Sequence, residues 1–170
     1  MLFWFLACGP KAAPADWTDI SDEVAVFGTE AELALGDARP FDGEPVTLAE
    51  QAFAEAELTL ARMKQGGPEL LGWVEQVQAL CAVASEEPAL RAASAARLGD
   101  AARLAWEQVL LADAPPLPED LAGAAEHEKS ELRAVYYQLG LEAYRAAQSA
   151  AEAGDPWHAH AAWGLRQLRG

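Results

Sequence analysis

The stretch TLAEQAFAEAELTLARMKQGGPELLGWVEQVQALCAVA, residues 47–84, decides the fold. Thr47 followed by Glu50 three residues on is a capping-box pattern, in which each side chain satisfies a backbone amide that the first helical turn leaves unpaired. Ala49, Ala52, Phe53, Ala56, Leu60 and Met63 then recur at three- and four-residue spacing, so residues 47–65 read as a helix with one apolar face. Gly66 and Gly67 end it. Pro68 suits the first turn of a second helix, because its missing amide proton is not needed there. Leu70, Trp73, Val74, Val77, Leu80, Cys81 and Ala84 form that helix's stripe. Two amphipathic helices joined by so short a connection are expected to pack antiparallel.

Toward the C-terminus the same signals repeat. Ser85 and Pro88 read as a cap and a first-turn proline opening a helix to Leu111, with Gly99-Asp100 expected to kink or break it. Pro115, Pro116 and Pro118 close that helix. The longest helix is expected over residues 119–153. One of its stripes runs through Leu121, Ala125, Leu132, Val135, Tyr136, Leu139, Ala143, Ala146 and Ala150, and a second through Tyr137, Leu141 and Tyr144. A helix apolar on two sides packs on two sides. Gly154, then Asp155 as cap and Pro156, start a last helix through Trp157, Ala161, Leu165 and Leu168, with Arg166 and Arg169 well placed for its dipole. Alternating β-branched runs are missing while alanine recurs throughout, so no strand is expected. The fold class is therefore all-α, with about five helices.

Two stretches resemble a tetratricopeptide array. Trp73-Val-Glu-Gln-Val-Gln-Ala and Trp106-Glu-Gln-Val-Leu-Leu-Ala stand about one repeat length apart. Residues 136–147 followed by Gly154-Asp-Pro-Trp and residues 159–162 are similar to one of its helical hairpins. The resemblance covers about the last 40 residues and implies that Gly140 lets paired helices approach, that Tyr144 fills the gap, and that a concave face binds extended peptides. The first helix of this hairpin is too long for one repeat, and no second copy carries the same small and aromatic positions. An antiparallel helical bundle and a short tetratricopeptide-like helical-hairpin array both account for these residues.

Toward the N-terminus the character changes. Residues 17–46 hold Gly28, Gly36, Pro40, Gly43 and Pro45 and sustain no long period. Between Asp16 and Glu57 there are twelve acids and one base, Arg39. This is an acidic, partly ordered lead-in to a helical domain at 47–170, and Trp17, Ile20, Val24, Val26 and Phe27 are its candidates for docking on the body. Residues 1–16 open with Met1-Leu-Phe-Trp-Phe-Leu-Ala-Cys8, too short for a transmembrane helix of about 20 residues. Phe5-Leu-Ala-Cys8 resembles a bacterial lipobox: Ala7 and Cys8 fit, while Phe5 stands where leucine is usual and Leu6 where a small residue is. That resemblance implies lipidation of Cys8, after which residues 9–16 form a spacer rich in proline and alanine. A basic leader is absent, as a start assigned too far downstream would explain. The alternative is a frayed apolar terminus on a cytoplasmic helical adaptor with a mis-read start.

The formal net charge of −15, from 27 acids against 12 Lys and Arg, removes the counterion-release drive for nucleic acid, so nucleic acid is not expected as a partner. Cys8 and Cys81 are too few for a disulfide framework, and Cys81 sits in an apolar run as a buried thiol does. His127 and Glu131 are one turn apart, the spacing of a two-ligand metal pair, but they stand on a charged face where a surface histidine is the ordinary meaning. His158 and His160 fall about 200° apart on a helix and cannot chelate one metal; both read as ordinary helix residues. No nucleophile elbow or phosphate loop occurs. Trp73, Trp106, Tyr136 and Tyr144 are expected to pack, and Tyr137 and Trp163 to be the surface aromatics offered for a protein contact. The sequence is thus read as a lipid-anchored envelope protein that binds or scaffolds other envelope proteins. No catalysis and no cofactor or metal are expected, and an enzyme with an unrecognised site is the remaining alternative.

Overall fold

The computed structural model describes residues 40–41, 43–66, 69–111 and 118–169. The apolar start, Cys8 and most of the acidic lead-in lie outside the described residues, as does Pro68. Among the described residues there are five α-helices and no strand: α1 (Leu48–Lys64), α2 (Leu70–Ala84), α3 (Arg91–Leu111), α4 (Glu119–Ala150) and α5 (Pro156–Arg169). The all-α class is correct. No helix among these residues is long and apolar enough to cross a membrane.

The capping box of α1 is complete: the Glu50 amide donates to the Thr47 hydroxyl at 3.1 Å, and the Glu50 carboxylate accepts from the Thr47 amide at 2.9 Å. Gly66, at φ +72°, takes the left-handed turn that stops the helix without a Cβ penalty. Its buried face is the expected one with Thr59 added; the Thr59 hydroxyl donates to the Glu55 carbonyl at 2.9 Å and so enters the core already paired. The α2 stripe buries Leu70, Val74, Val77, Cys81 and Ala84 against it. In α5 the Asp155 carboxylate accepts from the Trp157 amide at 2.7 Å, which caps the helix, while Trp157, Ala161, Leu165 and Leu168 turn inward as the spacing predicts.

Helix α3 is the axle, in contact with all four others. Its inward positions are Ala92, Ala93, Ala96, Ala101, Ala102 and Ala105, all buried, and side chains that small let four helices approach one.

Three expectations are corrected. Ser85 ends α2 instead of opening the next helix: its hydroxyl donates back to the Ala82 carbonyl at 2.8 Å, and a 3-10 turn at Pro88–Leu90 precedes α3. Gly99-Asp100 neither kinks nor breaks α3, because both residues are held by tertiary contacts described below. The long stripe of α4 fails at Leu121, Val135, Ala146 and Ala150, which are exposed, and the helix ends at Ala150. At about 1.5 Å per residue α4 is roughly 48 Å long and α3 roughly 31 Å, so the first turns of α4 run past its neighbour. Apolar periodicity reports which side could be buried, and a neighbour must be there to bury it.

Candidate functional site

The densest group of ionisable side chains lies where α3, α4 and α5 meet. Arg97, Asp100 and Arg103 follow one another at three-residue spacing on α3, which puts them along one flank of an otherwise alanine-rich helix. Asp100 is 7% exposed and is the hub. Tyr144 of α4 donates its hydroxyl proton to Asp100 Oδ1 at 2.8 Å. His160 of α5 places Nε2 2.9 Å from both carboxylate oxygens. Arg97 donates from Nη1 to Asp100 Oδ2 at 3.1 Å and from Nε to Glu57 of α1 at 2.7 Å. Four helices are thereby tied to one carboxylate.

Aromatic rings enclose this polar centre. The Arg97 guanidinium lies 4.9 Å over the Trp157 ring and that of Arg103 lies 5.0 Å over Trp163. His160 stacks on Trp163 at 5.6 Å between centroids and meets Trp157 and Tyr144 edge-on at 6.2 and 6.4 Å. Arg103 also pairs with Glu107.

Two glycines make room for the tyrosine. A Cβ on Gly99 of α3 would stand 2.6 Å from the Tyr144 ring, and one on Gly164 of α5 would collide with the ring's far end. Tyr144 is a plate slotted between two bare backbones, and the slot aims its hydroxyl at Asp100. Gly140, one turn earlier, is pressed by the Leu168 side chain in the same way.

Burial alone would raise the pKa of Asp100. The His160 imidazole beside it, followed by Arg97 and Arg103, overrides that and holds its carboxyl well below the usual range. Tyr144 goes the other way: burial first, then the negative Asp100, raise it well above an ordinary phenol. Asp100 is thus a carboxylate and Tyr144 a phenol across the whole neutral range. Burial likewise pushes the Cys81 thiol up to about 12, so it stays protonated and is a poor nucleophile.

The sequence-predicted site residues fall elsewhere. Cys8 lies outside the described residues. Trp163 is half-buried and belongs to the stack over His160, so it is not a free surface aromatic. Tyr137 is also half-buried, 6.2 Å from Trp106, and with Ser130, Arg133 and Ala134 these rings line a shallow hollow of about 370 Å³. His127 and Glu131 form an exposed pair at 3.4 Å, and no group of three His, Cys, Asp or Glu among the described residues is placed to hold a metal. His160, expected as an ordinary helix residue, is buried and bonded to Asp100, and Arg97 and Arg103 join it there unforeseen. The usable signal is three charges at three-residue spacing on a helix whose other inward positions are mostly alanine.

Chemically the cluster is self-satisfied on the Asp100 side, where three donors share two oxygens; its remaining capacity lies at Arg103 Nε, His160 Nδ1 and Trp163 Nε1, all buried and without a hydrogen-bond partner among the described residues. A second hollow of about 170 Å³, lined by Glu57, Leu60, Ala61, Lys64, Arg97 and Asp100, reaches the cluster from the α1 side. No family model matches this chain, and no curated protein or solved structure is similar to it.

Proposed function

We propose that this chain is a lipid-anchored protein of the bacterial cell envelope that acts as a non-catalytic protein-binding or scaffold module. The observation that carries the reading is the first half of α4, a regular helix whose residues 121–124, 126–128, 130, 131, 134 and 135 are exposed although Leu121 and Val135 among them are apolar. Exposed large apolar side chains on an uncovered helix face are what a partner would cover. The Asp100 cluster fits the same role, because its acceptors are engaged by the protein's own donors and it fixes the orientation of α3, α4 and α5. The anchor rests on the Phe5-Leu-Ala-Cys8 stretch and the spacer after it.

Two measurements test the reading. A photo-crosslinking amino acid at Val135 in living cells should yield a discrete protein adduct, and its absence overturns the binding role. Cys8→Ser should move the protein from membrane to soluble fraction, since about 0.8 kcal/mol per buried methylene makes two or more acyl chains a lasting anchor. Retention of an unmodified Met1 in the mature protein would refute the anchor.

A further inference from the structure

The exposed face of α4 has a charge pattern as well as an apolar one. Taking 100° per residue, Leu121, Leu132, Val135 and Leu139 fall within an arc of about 60°. Leu121 and Val135 are 48% and 59% exposed, and Leu132 and Leu139 are half-buried beneath them. Glu128, Glu131 and Glu142 stand in or beside the same arc and are exposed. Lys129 lies about 60° and Arg133 about 100° beyond one edge of the arc, and Arg145 about 80° beyond the other. Gln138 donates to Glu142 at 2.8 Å and His127 pairs with Glu131, so the acids are ordered along the helix. The face is a line of apolar side chains interrupted by Glu128 and flanked on one side by Glu131 and Glu142.

Building on the protein-binding reading, we infer that this face receives a basic amphipathic helix of another protein, with leucine-like side chains against Leu121, Val135 and Leu139 and lysine or arginine against Glu128, Glu131 and Glu142. Charge complementarity selects that occupant. The chain's own lead-in, with eight acids and one base over residues 17–46, is repelled by the same carboxylates. A second copy would set glutamate against glutamate across the contact.

The test uses the full-length protein and a fluorescein-labelled leucine–lysine peptide of about five helical turns, with its leucine–glutamate counterpart as control. The lysine peptide should bind, weaken as salt rises from about 0.1 to 1 M, and lose about tenfold or more in affinity when Leu121→Ser and Val135→Ser are combined. Leu58→Ser, which removes an exposed leucine from α1 instead, should leave binding unchanged. Both altered positions on α4 are at the surface, so an unchanged melting temperature certifies the double variant as folded. Equal binding by the double variant would mean attraction to net charge alone and overturns the inference. So does binding of the glutamate peptide as tightly as the lysine one, or concentration-dependent self-association that the double variant abolishes. A protein adduct at Val135 together with failure of the lysine peptide would sink the basic-helix inference while leaving the binding role intact.

Discussion

The two halves of the core are filled by different means. Between α1, α2 and the far end of α3 the filling is aliphatic: Leu60, Met63, Leu70, Val74, Val77 and Cys81 close over Ala101 and Ala105. Where α3, α4 and α5 meet, Leu141, Trp157, Leu165 and Leu168 pack with small residues and bare backbone around Tyr144, with a buried carboxylate at the centre. The first half is held by area removed from water, which is non-directional and tolerates exchange among side chains of like volume. The second adds shape and hydrogen-bond geometry to its apolar burial, and there one added methyl or one lost acceptor has no substitute nearby. Stability and specificity are therefore unevenly distributed: the α1–α2 hairpin supplies apolar burial, and the α3–α4–α5 junction dictates how the helices are oriented.

The sharpest way to break this contrast is Asp100→Ala. It strands His160 and the Tyr144 hydroxyl in the interior and leaves Arg97 with Glu57 alone, and removing one partner of a buried ionic group costs about 3 to 5 kcal/mol. Urea unfolding followed by circular dichroism measures it, and a cost below 1 kcal/mol would mean the cluster is solvated in solution. Gly164→Ala comes next, at about 1 to 3 kcal/mol for overpacking, since its methyl meets the Tyr144 ring. Met63→Leu, the matching exchange in the aliphatic half, should cost less than about 1.5 kcal/mol. If thermal melts rank these two the other way, the tolerance assigned to each half is reversed.

The pH dependence sharpens the comparison further. Asp100 is lowered from an ordinary value of 3.8, so its share of stability is fully present above that pH and is lost as pH falls below it toward the lower folded value. The unfolded state binds the proton more readily in that window, hence acid destabilises. Asp100→Asn should flatten the stability profile between pH 4 and 2, to within the contribution of other carboxylates, whereas Met63→Leu should leave its slope alone. The smallest expected effect is at the start of α1: Thr47→Ala removes one cap acceptor and should cost about 1 kcal/mol, read by the same urea titration.

Local chemistry made much of this protein legible before any coordinates. The Thr47–Glu50 capping box, the glycine stop at Gly66, the Asp155-Pro156 start and the stripes of α1, α2 and α5 depend on contacts within a few residues, and each stands as the sequence implied. For the first half of α4 the apolar period was present and still misled, because burial at Leu121 and Val135 needs a neighbour that the period cannot supply. The Asp100 site was illegible for a related reason. Tyr144 lies 44 residues from Asp100 and His160 lies 60, so no local window contains the partners that make a buried carboxylate tolerable. Gly99 looked like a helix breaker, since glycine is costly in a helix interior; the Tyr144 ring against its backbone gives it another purpose. The sequence by itself determined where helices begin, where they end and which faces are apolar, for those follow from backbone amides, φ preferences and periodicity. Only the tertiary structure decided which apolar faces are covered and which polar groups meet, because both depend on what the chain brings alongside from far away in sequence.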